Sequence, residues 1–169
     1  MVDSTKPYIN LIKDSLLYAL NLRNLPSLQY EKINRPQVEV EESKELLMKP
    51  IVISKNENEK VEIETSINSV RVNLQFNKVD IEELLSGIYC KFLMNRTDRL
   101  NLLRKIPKPG FDISFLITNF HLECYKKEDI VEYIVDFLAS IDNEIIGMRM
   151  IVNSQLRMAS NYLLEKMKI

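Results

Sequence analysis

The spacing of apolar residues at the start of the chain predicts one helix followed by an irregular connector. Between Thr5 and about Asn24, apolar residues recur at three- and four-residue steps, which is the period of an amphipathic helix. Pro26 ends this pattern. The region 25–43 is polar, contains a second proline at Pro36 and has no clear period, so we expect an extended connector there.

Three short stretches rich in β-branched residues then predict an antiparallel sheet. They cover 50–54, 61–64 and 70–76, and the last two alternate apolar and polar residues as strands with one wet face do. Polar turns at 55–60 and 66–69 separate them. Because a parallel connection needs a crossover of about a dozen residues or more, such short turns predict a meander.

A second helix and two further strands are predicted in the middle of the chain. Residues 77–95 have a helical period, and a strand near 100–106 and a Pro-Gly turn at 107–110 follow. The next strand is predicted from Phe111 to about Leu122. Its apolar run is nearly continuous, which is typical of a central strand covered on most of its length.

The residues after Lys126 predict one long closing helix over 127–168, since they contain no proline and only Gly147 as a glycine. At a rise of 1.5 Å per residue this helix would be about 60 Å long, whereas a compact domain of this size is about 40 Å across. Between Ile145 and Met158 its apolar residues point in several directions, so we expect a partner to cover part of it. One apolar seam keeps three- and four-residue spacing throughout and consists of Ile134, Leu138, Ile141, Ile145, Met148, Val152, Leu156, Ala159 and Leu163.

These elements predict a single α+β domain over 1–169, built in two layers in the order α-β-β-β-α-β-β-α with an antiparallel sheet. The 169 residues are 46% apolar and 28% charged, which is typical of a globular protein. No run approaches the roughly 18–20 apolar residues that a membrane span needs, and the amino end does not resemble a signal peptide. We therefore expect a cytoplasmic protein without a membrane span.

Composition and motifs argue against catalysis and against nucleic acid binding. The net charge is −1, whereas binding to phosphates usually goes with a basic excess. The three glycines stand far apart, so no Gly-rich phosphate loop is possible. Cys90 and Cys124 belong to no metal-binding motif, and we expect two reduced thiols. No catalytic residue, cofactor or metal site is predicted.

The only histidine, His121, leaves two interpretations open. It could form a thiol site with Glu123 and Cys124, or it could be a hydrogen-bonded histidine at the end of a strand. The second interpretation is favoured, because residues so close along a strand alternate between its two faces and cannot all converge.

A basic cluster lies around the turn between the second predicted helix and the strands that follow it, and it also has two interpretations. It is either ordinary surface charge or a docking patch for an acidic protein surface, where such charges set encounter rate and register. Its members are Arg96, Arg99, Arg104, Lys105 and Lys108.

Four segments resemble a known family. They are Ser43–Leu47, Ile53–Glu57, Ser66–Val72 and Asp112–His121, and the last is long enough to be specific. The chain resembles the actin-related protein 2/3 complex subunit 4 family from about Pro7 to its carboxyl end.

This resemblance implies a non-catalytic structural subunit of the complex that nucleates branched actin filaments. Members of the family have a fold of the secretion-chaperone-like kind and pair with the larger subunit 2 through their long carboxy-terminal helices. The resulting heterodimer forms the core around which the actin-related subunits and the other small subunits sit. It also provides much of the surface that contacts the side of the mother filament. ATP is bound by the actin-related subunits, so no cofactor is expected here.

For the interface with subunit 2, the resemblance and the helix period together indicate one face of the closing helix. That face comprises Ile141, Ile145, Met148, Val152, Leu156, Ala159 and Leu163.

For the filament contact, the resemblance indicates four basic residues. Ile106, Gln155 and Glu165 stand where the family has bases, so we expect a weaker or more salt-sensitive contact in this chain. The four candidates are Arg104, Lys105, Arg157 and Lys166.

Two alternative functions stay open at this point. A free-standing chaperone-like binding module would homodimerise through the same helix. A small thiol enzyme would depend on Cys124 and His121.

Overall fold

The computed structural model describes residues 5–21, 35–40, 48–76 and 98–167. The predicted helix over 77–95, the thiol of Cys90 and most of the connector over 25–43 lie outside these residues. The chain divides into two compact units, Met1–Val135 and Asp136–Ile169.

The described residues form three α-helices and one four-stranded sheet. Helix α1 spans Thr5–Asn21, and a 3₁₀ turn follows at Gln37–Glu39. Strands β1, β2, β3 and β4 span Ile51–Asn56, Glu59–Thr65, Ser69–Gln75 and Ile113–Thr118. The short helix α2 spans Asn119–Cys124, and the long helix α3 spans Lys127–Met167. The predicted α+β class, antiparallel sheet and long carboxy-terminal helix are therefore confirmed.

The sheet is an antiparallel meander in the order β1-β2-β3-β4. A two-residue turn joins β1 to β2, and the short bend at 66–68 joins β2 to β3. Ile63 pairs with Val72, and Val72 pairs with Phe115, so one face of the sheet carries a continuous apolar row. These three side chains are completely buried.

Helix α1 contacts β1 and β2. Its buried residues, which include Ile12 and Leu16, follow the helical period that the sequence predicts. The first turns of α3 bury Ile130 and Ile134. The core of the first unit consists of these helix faces and the apolar face of the sheet.

The strand predicted near 100–106 is wrong in extent, since only one isolated bridge forms there, between Leu103 and Phe115. The N–H of Leu103 donates to the Asp98 carboxylate rather than to a neighbouring strand. Asn101 has a left-handed backbone with a φ of 56°, which also interrupts an extended conformation. The left-handed Asn101 therefore limits the pairing at its amino-terminal end, and the Leu103 N–H, which points away from β4, is satisfied by the Asp98 side chain.

The strand predicted from Phe111 to about Leu122 is shorter, and its predicted central position is wrong. β4 is buried, but it is the last strand in the sheet order. Two backbone hydrogen bonds of 2.8 Å, to Leu102 and from Arg104, satisfy part of its outer edge. The strand ends at Thr118 because α2 begins there, and the Thr118 N–H donates to Nδ1 of His121 at 3.0 Å.

Candidate interaction surfaces

Arg104 is an exposed basic residue whose guanidinium is already oriented by an acidic partner. Its Nε lies 2.7 Å from Oε1 of Glu39, and its Nη2 lies 2.9 Å from Oε2. Such a two-point pair fixes the plane of the guanidinium, yet it uses only two of the five N–H donors. The remaining donors are available to a second partner, because the side chain is 44% exposed.

Glu39 is held in place by the bend between β2 and β3. The buried side chain of Asn68 accepts a hydrogen bond from the Gln37 N–H at 2.8 Å and donates one to the carbonyl of Arg35 at 3.1 Å. The neighbouring Val38 is 3% exposed. The carboxylate that orients Arg104 therefore projects from a fixed backbone.

His121 anchors the segment that carries Arg104 and Lys105. A backbone N–H can only donate, so the bond from Thr118 leaves Nδ1 of His121 as the acceptor. Nε2 therefore carries the proton and donates to the carbonyl of Asn101 at 3.2 Å. Burial lowers the pKa of His121, although the hydrogen bond to Asn101 and the charge of Asp98 act in the opposite direction.

The structure does not bring the residues of the thiol hypothesis into a working arrangement. Both ring nitrogens of His121 are directed at backbone groups. The carboxylate of Glu123 accepts a hydrogen bond from Nδ2 of Asn119 at 2.7 Å, and Cys124 is a free, exposed cysteine. Neither His121 nor Glu123 is therefore arranged to activate the thiol, and among the residues that the structure describes the alternative of a small thiol enzyme gains no support.

A cavity of about 530 Å³ lies beside this segment. Leu103 and Leu116 contribute apolar side chains to its lining, and Arg104, Lys105 and Ile106 also line it. The side chain of Ile106 is 85% exposed. The cavity therefore combines apolar and basic groups at one place on the surface of the first unit.

The polar face of the sheet carries an ionic network that the sequence patterns did not indicate. Its central residue is Glu64, whose side chain is 7% exposed and whose oxygens lie 2.7 Å from Nε of Arg71 and 2.7 Å from Nζ of Lys108. Asn73 donates to the same carboxylate at 2.8 Å. Lys108 also bonds to Glu62. This member of the predicted basic cluster is therefore part of a structural network.

The network shifts the pKa of two of its members in opposite directions. Burial by itself would raise the pKa of Glu64, but hydrogen bonds from Arg71, Lys108 and Asn73 outweigh it and hold that pKa below its ordinary value. Burial by itself would lower the pKa of Lys108, but its bonds to Glu62 and Glu64 outweigh it and raise that pKa. Both groups are therefore charged at neutral pH.

The predicted apolar seam of α3 has a buried part and an exposed part. Ile141 and Ile145 are 2% and 5% exposed, so they are buried. Met148 and Val152 are half-buried, and every residue from Asn153 to Met167 is exposed. Of the predicted interface residues, only Leu156, Ala159 and Leu163 are fully accessible to a partner.

The exposed turns of α3 are unusually rich in large apolar side chains. Leu156 and Leu163 are 60% and 59% exposed, respectively. Single exposed apolar residues are normal on a protein surface, but a helix that exposes a dense set of them marks an interaction site. The set from Ile146 onward comprises Ile146, Met150, Ile151, Leu156, Met158, Tyr162, Leu163, Leu164 and Met167.

The four candidate filament residues lie in different units. Arg104 and Lys105 belong to the first unit, whereas Arg157 and Lys166 belong to the second. All four are exposed. Nζ of Lys166 lies 4.9 Å from the centre of the Tyr162 ring, a distance at which cation and ring attract each other.

The described residues contain neither a metal site nor a membrane-spanning helix. In the parts of the chain that the structure describes, no group of three His, Cys, Asp or Glu side chains could hold a metal ion. Over the same residues, no helix is both long enough and apolar enough to cross a bilayer.

The fold and surfaces define a class of protein: an α+β domain with an antiparallel sheet and one long carboxy-terminal helix with exposed apolar turns. The model of the ARP2/3 complex 20 kDa subunit family, ARPC4, matches residues 1–166. The chain belongs to this family, and the resemblance seen in the sequence is confirmed.

Three curated relatives agree with this membership. Actin-related protein 2/3 complex subunit 4 of Dictyostelium discoideum is 42% identical over 159 residues, which cover 93% of this chain and 94% of the relative. The protein of the same name in Saccharomyces cerevisiae is 41% identical over 168 residues, or 98% of each chain. The probable subunit 4 of Caenorhabditis elegans is 38% identical over 167 residues, covering 98% of this chain and 99% of the relative.

Proposed function

We propose that this chain is a non-catalytic structural subunit of the complex that nucleates and branches actin filaments, acting in the cytoplasm. The relatives are named as subunits of the ARP2/3 complex and match nearly the whole chain. The observation that carries the proposal is the exposed apolar surface of α3 from Asn153 to Met167. Such a surface is stable in water only when a partner covers it.

The proposed partner at this surface is subunit 2 of the same complex. Met148, Val152, Leu156, Ala159 and Leu163 follow one another at three- and four-residue steps, so they share one side of the helix. This arrangement suits packing along a second long helix, in which apolar side chains of each helix fill spaces on the other. The other subunits then assemble around this heterodimer.

Expression of the chain alone and together with a candidate subunit 2 tests the proposal. We expect the chain alone to give low soluble yield or to self-associate, because its apolar helix surface is uncovered. With the partner we expect a soluble complex of one copy of each, measured by sedimentation. A monodisperse monomer, or a stable homodimer that ignores the partner, would contradict the proposal. The homodimer would favour the chaperone-like alternative.

We further propose that Lys105 and Arg157 contact the side of the mother filament, with Arg104 and Lys166 beside them. Changing Lys105 and Arg157 to Glu should reduce filament affinity by roughly tenfold at low salt, because both changes reverse a charge at the contact. The measurement is filament pelleting and branch counting with the assembled complex. Arg104 is left unchanged, since its replacement by Glu would place two carboxylates together at Glu39.

The matched control reverses two lysines elsewhere on the exposed surface, at Lys6 and Lys126. This control changes the net charge by the same amount and should leave filament affinity within about twofold of the unchanged complex. Equal effects of the two double variants would remove Lys105 and Arg157 from the contact. The assembly of both variants is checked by sedimentation before filaments are added.

A further inference from the structure

Among the described residues of the first unit, Ile106 has the highest exposed fraction of the large apolar residues, at 85%. It stands between Lys105, which is exposed, and Pro107, which is half-buried. Backbone hydrogen bonds hold the residues just before Ile106 against β4. The backbone of Arg104 donates to the Ser114 carbonyl at 2.8 Å, and Leu116 donates to the Leu102 carbonyl at 2.8 Å.

The cavity beside Ile106 is preformed by these contacts. Its wall is held by the bridge between Leu103 and Phe115 and by the hydrogen bond from His121 to Asn101. Leu103 and Leu116 supply apolar surface inside it. A preformed cavity of about 530 Å³ is large enough for an aliphatic or aromatic side chain of a partner.

The charges beside the cavity are basic. Within the described part of the chain no carboxylate pairs with Lys105, and Arg104 keeps N–H donors that Glu39 does not use. An apolar side chain flanked by carboxylates would therefore fit both parts of this surface, since the side chain would fill the cavity while the carboxylates meet the bases.

We propose that Ile106 and the adjacent cavity receive an apolar side chain of the filament, which anchors the contact that Lys105 makes by charge. This inference rests on the proposed filament contact and adds a component to it that does not depend on salt. Burial of apolar surface is insensitive to ionic strength at moderate salt, whereas the attraction between exposed charges is screened.

Filament pelleting with the assembled complex over a series of salt concentrations tests this proposal. The Ile106→Ser variant should bind roughly five- to tenfold more weakly at every salt concentration, the effect of losing one buried aliphatic side chain. The slope of log Kd against log salt should stay unchanged. By contrast, the Lys105→Gln variant should flatten this slope, because it removes a charge and leaves the apolar contact intact.

The matched control is Val52→Ser, which shortens another exposed aliphatic residue of the first unit, 53% exposed on β1. It should leave filament affinity unchanged. An Ile106→Ser variant that binds as tightly as the unchanged complex, while Lys105→Gln alters the salt slope, would overturn the apolar anchor and leave the proposed contact standing. If neither variant has an effect, the filament contact lies elsewhere and both proposals fail.

Discussion

The Glu64→Ala variant is expected to lose about 3 kcal/mol of unfolding free energy. Glu64 is the shared partner of Arg71 and Lys108, and its side chain is only 7% exposed. Its removal takes the carboxylate away from Arg71, whose side chain is 15% exposed, and leaves Lys108 with Glu62 alone. The cost of an uncompensated buried charge exceeds the net contribution of the pair itself, which is why removing one partner has so large an effect.

Urea denaturation followed by circular dichroism measures this loss. The control is Glu57→Ala, an exposed carboxylate in the turn after β1, which should change the unfolding free energy by less than about 0.5 kcal/mol. A double variant with Glu64→Leu and Arg71→Met should regain most of the loss, because it removes both charges of this pair and leaves Lys108 paired with Glu62. If Glu64→Ala is as stable as Glu57→Ala, the network contributes nothing.

The contribution of Glu64 to the free energy of unfolding should also depend on pH and should decrease in acid. Its folded-state pKa is lowered from the ordinary value of 4.5, so in acid the unfolded chain binds a proton before the folded chain does. The contribution of Glu64 is therefore fully present above pH 4.5 and is lost as pH falls through the folded-state pKa. The raised pKa of Lys108 means that its contribution is lost only in strongly basic solution, as pH rises through that value. The difference between the unchanged chain and Glu64→Ala should be constant near neutrality and shrink in acid.

The Leu156→Asp and Leu163→Asp double variant is expected to lose its association with subunit 2, with an affinity at least about 100-fold weaker. The two leucines are 60% and 59% exposed and lie on one side of α3, so they are accessible to a partner in a way that Ile141 is not. The variant loses two apolar contacts and places two carboxylates in the seam. Co-purification and sedimentation of the co-expressed pair measure the result.

The matched control places the same two charges on another side of the helix, with Ser154→Asp and Asn161→Asp. At 100° per residue, both positions lie well away from the direction of Leu156 and Leu163. This control should keep the association within a few-fold of the unchanged pair. If both double variants still bind subunit 2, the seam is not the interface, and the exposed turns of α3 serve another partner.

The sequence by itself determined the elements whose signal is local. The seam spacing and the absence of proline predicted the helix that the structure has at Lys127–Met167. The alternation at 61–64 and 70–76 predicted two strands of the meander, and the short turns between them determined that they pair antiparallel. These predictions were correct because each depends only on residues that are close together in the sequence.

The tertiary structure alone decided which patterns became buried and what covers them. Ile145 and Leu156 belong to one seam with one period, yet the first is 5% exposed and the second 60%, because a period indicates a face of a helix and not what lies against it. In the sequence pattern, Glu64 does not differ from the surface carboxylates. The pairing of β2 with β3 places it beside Arg71. Each of these outcomes depends on a contact that the order of residues along the chain does not contain.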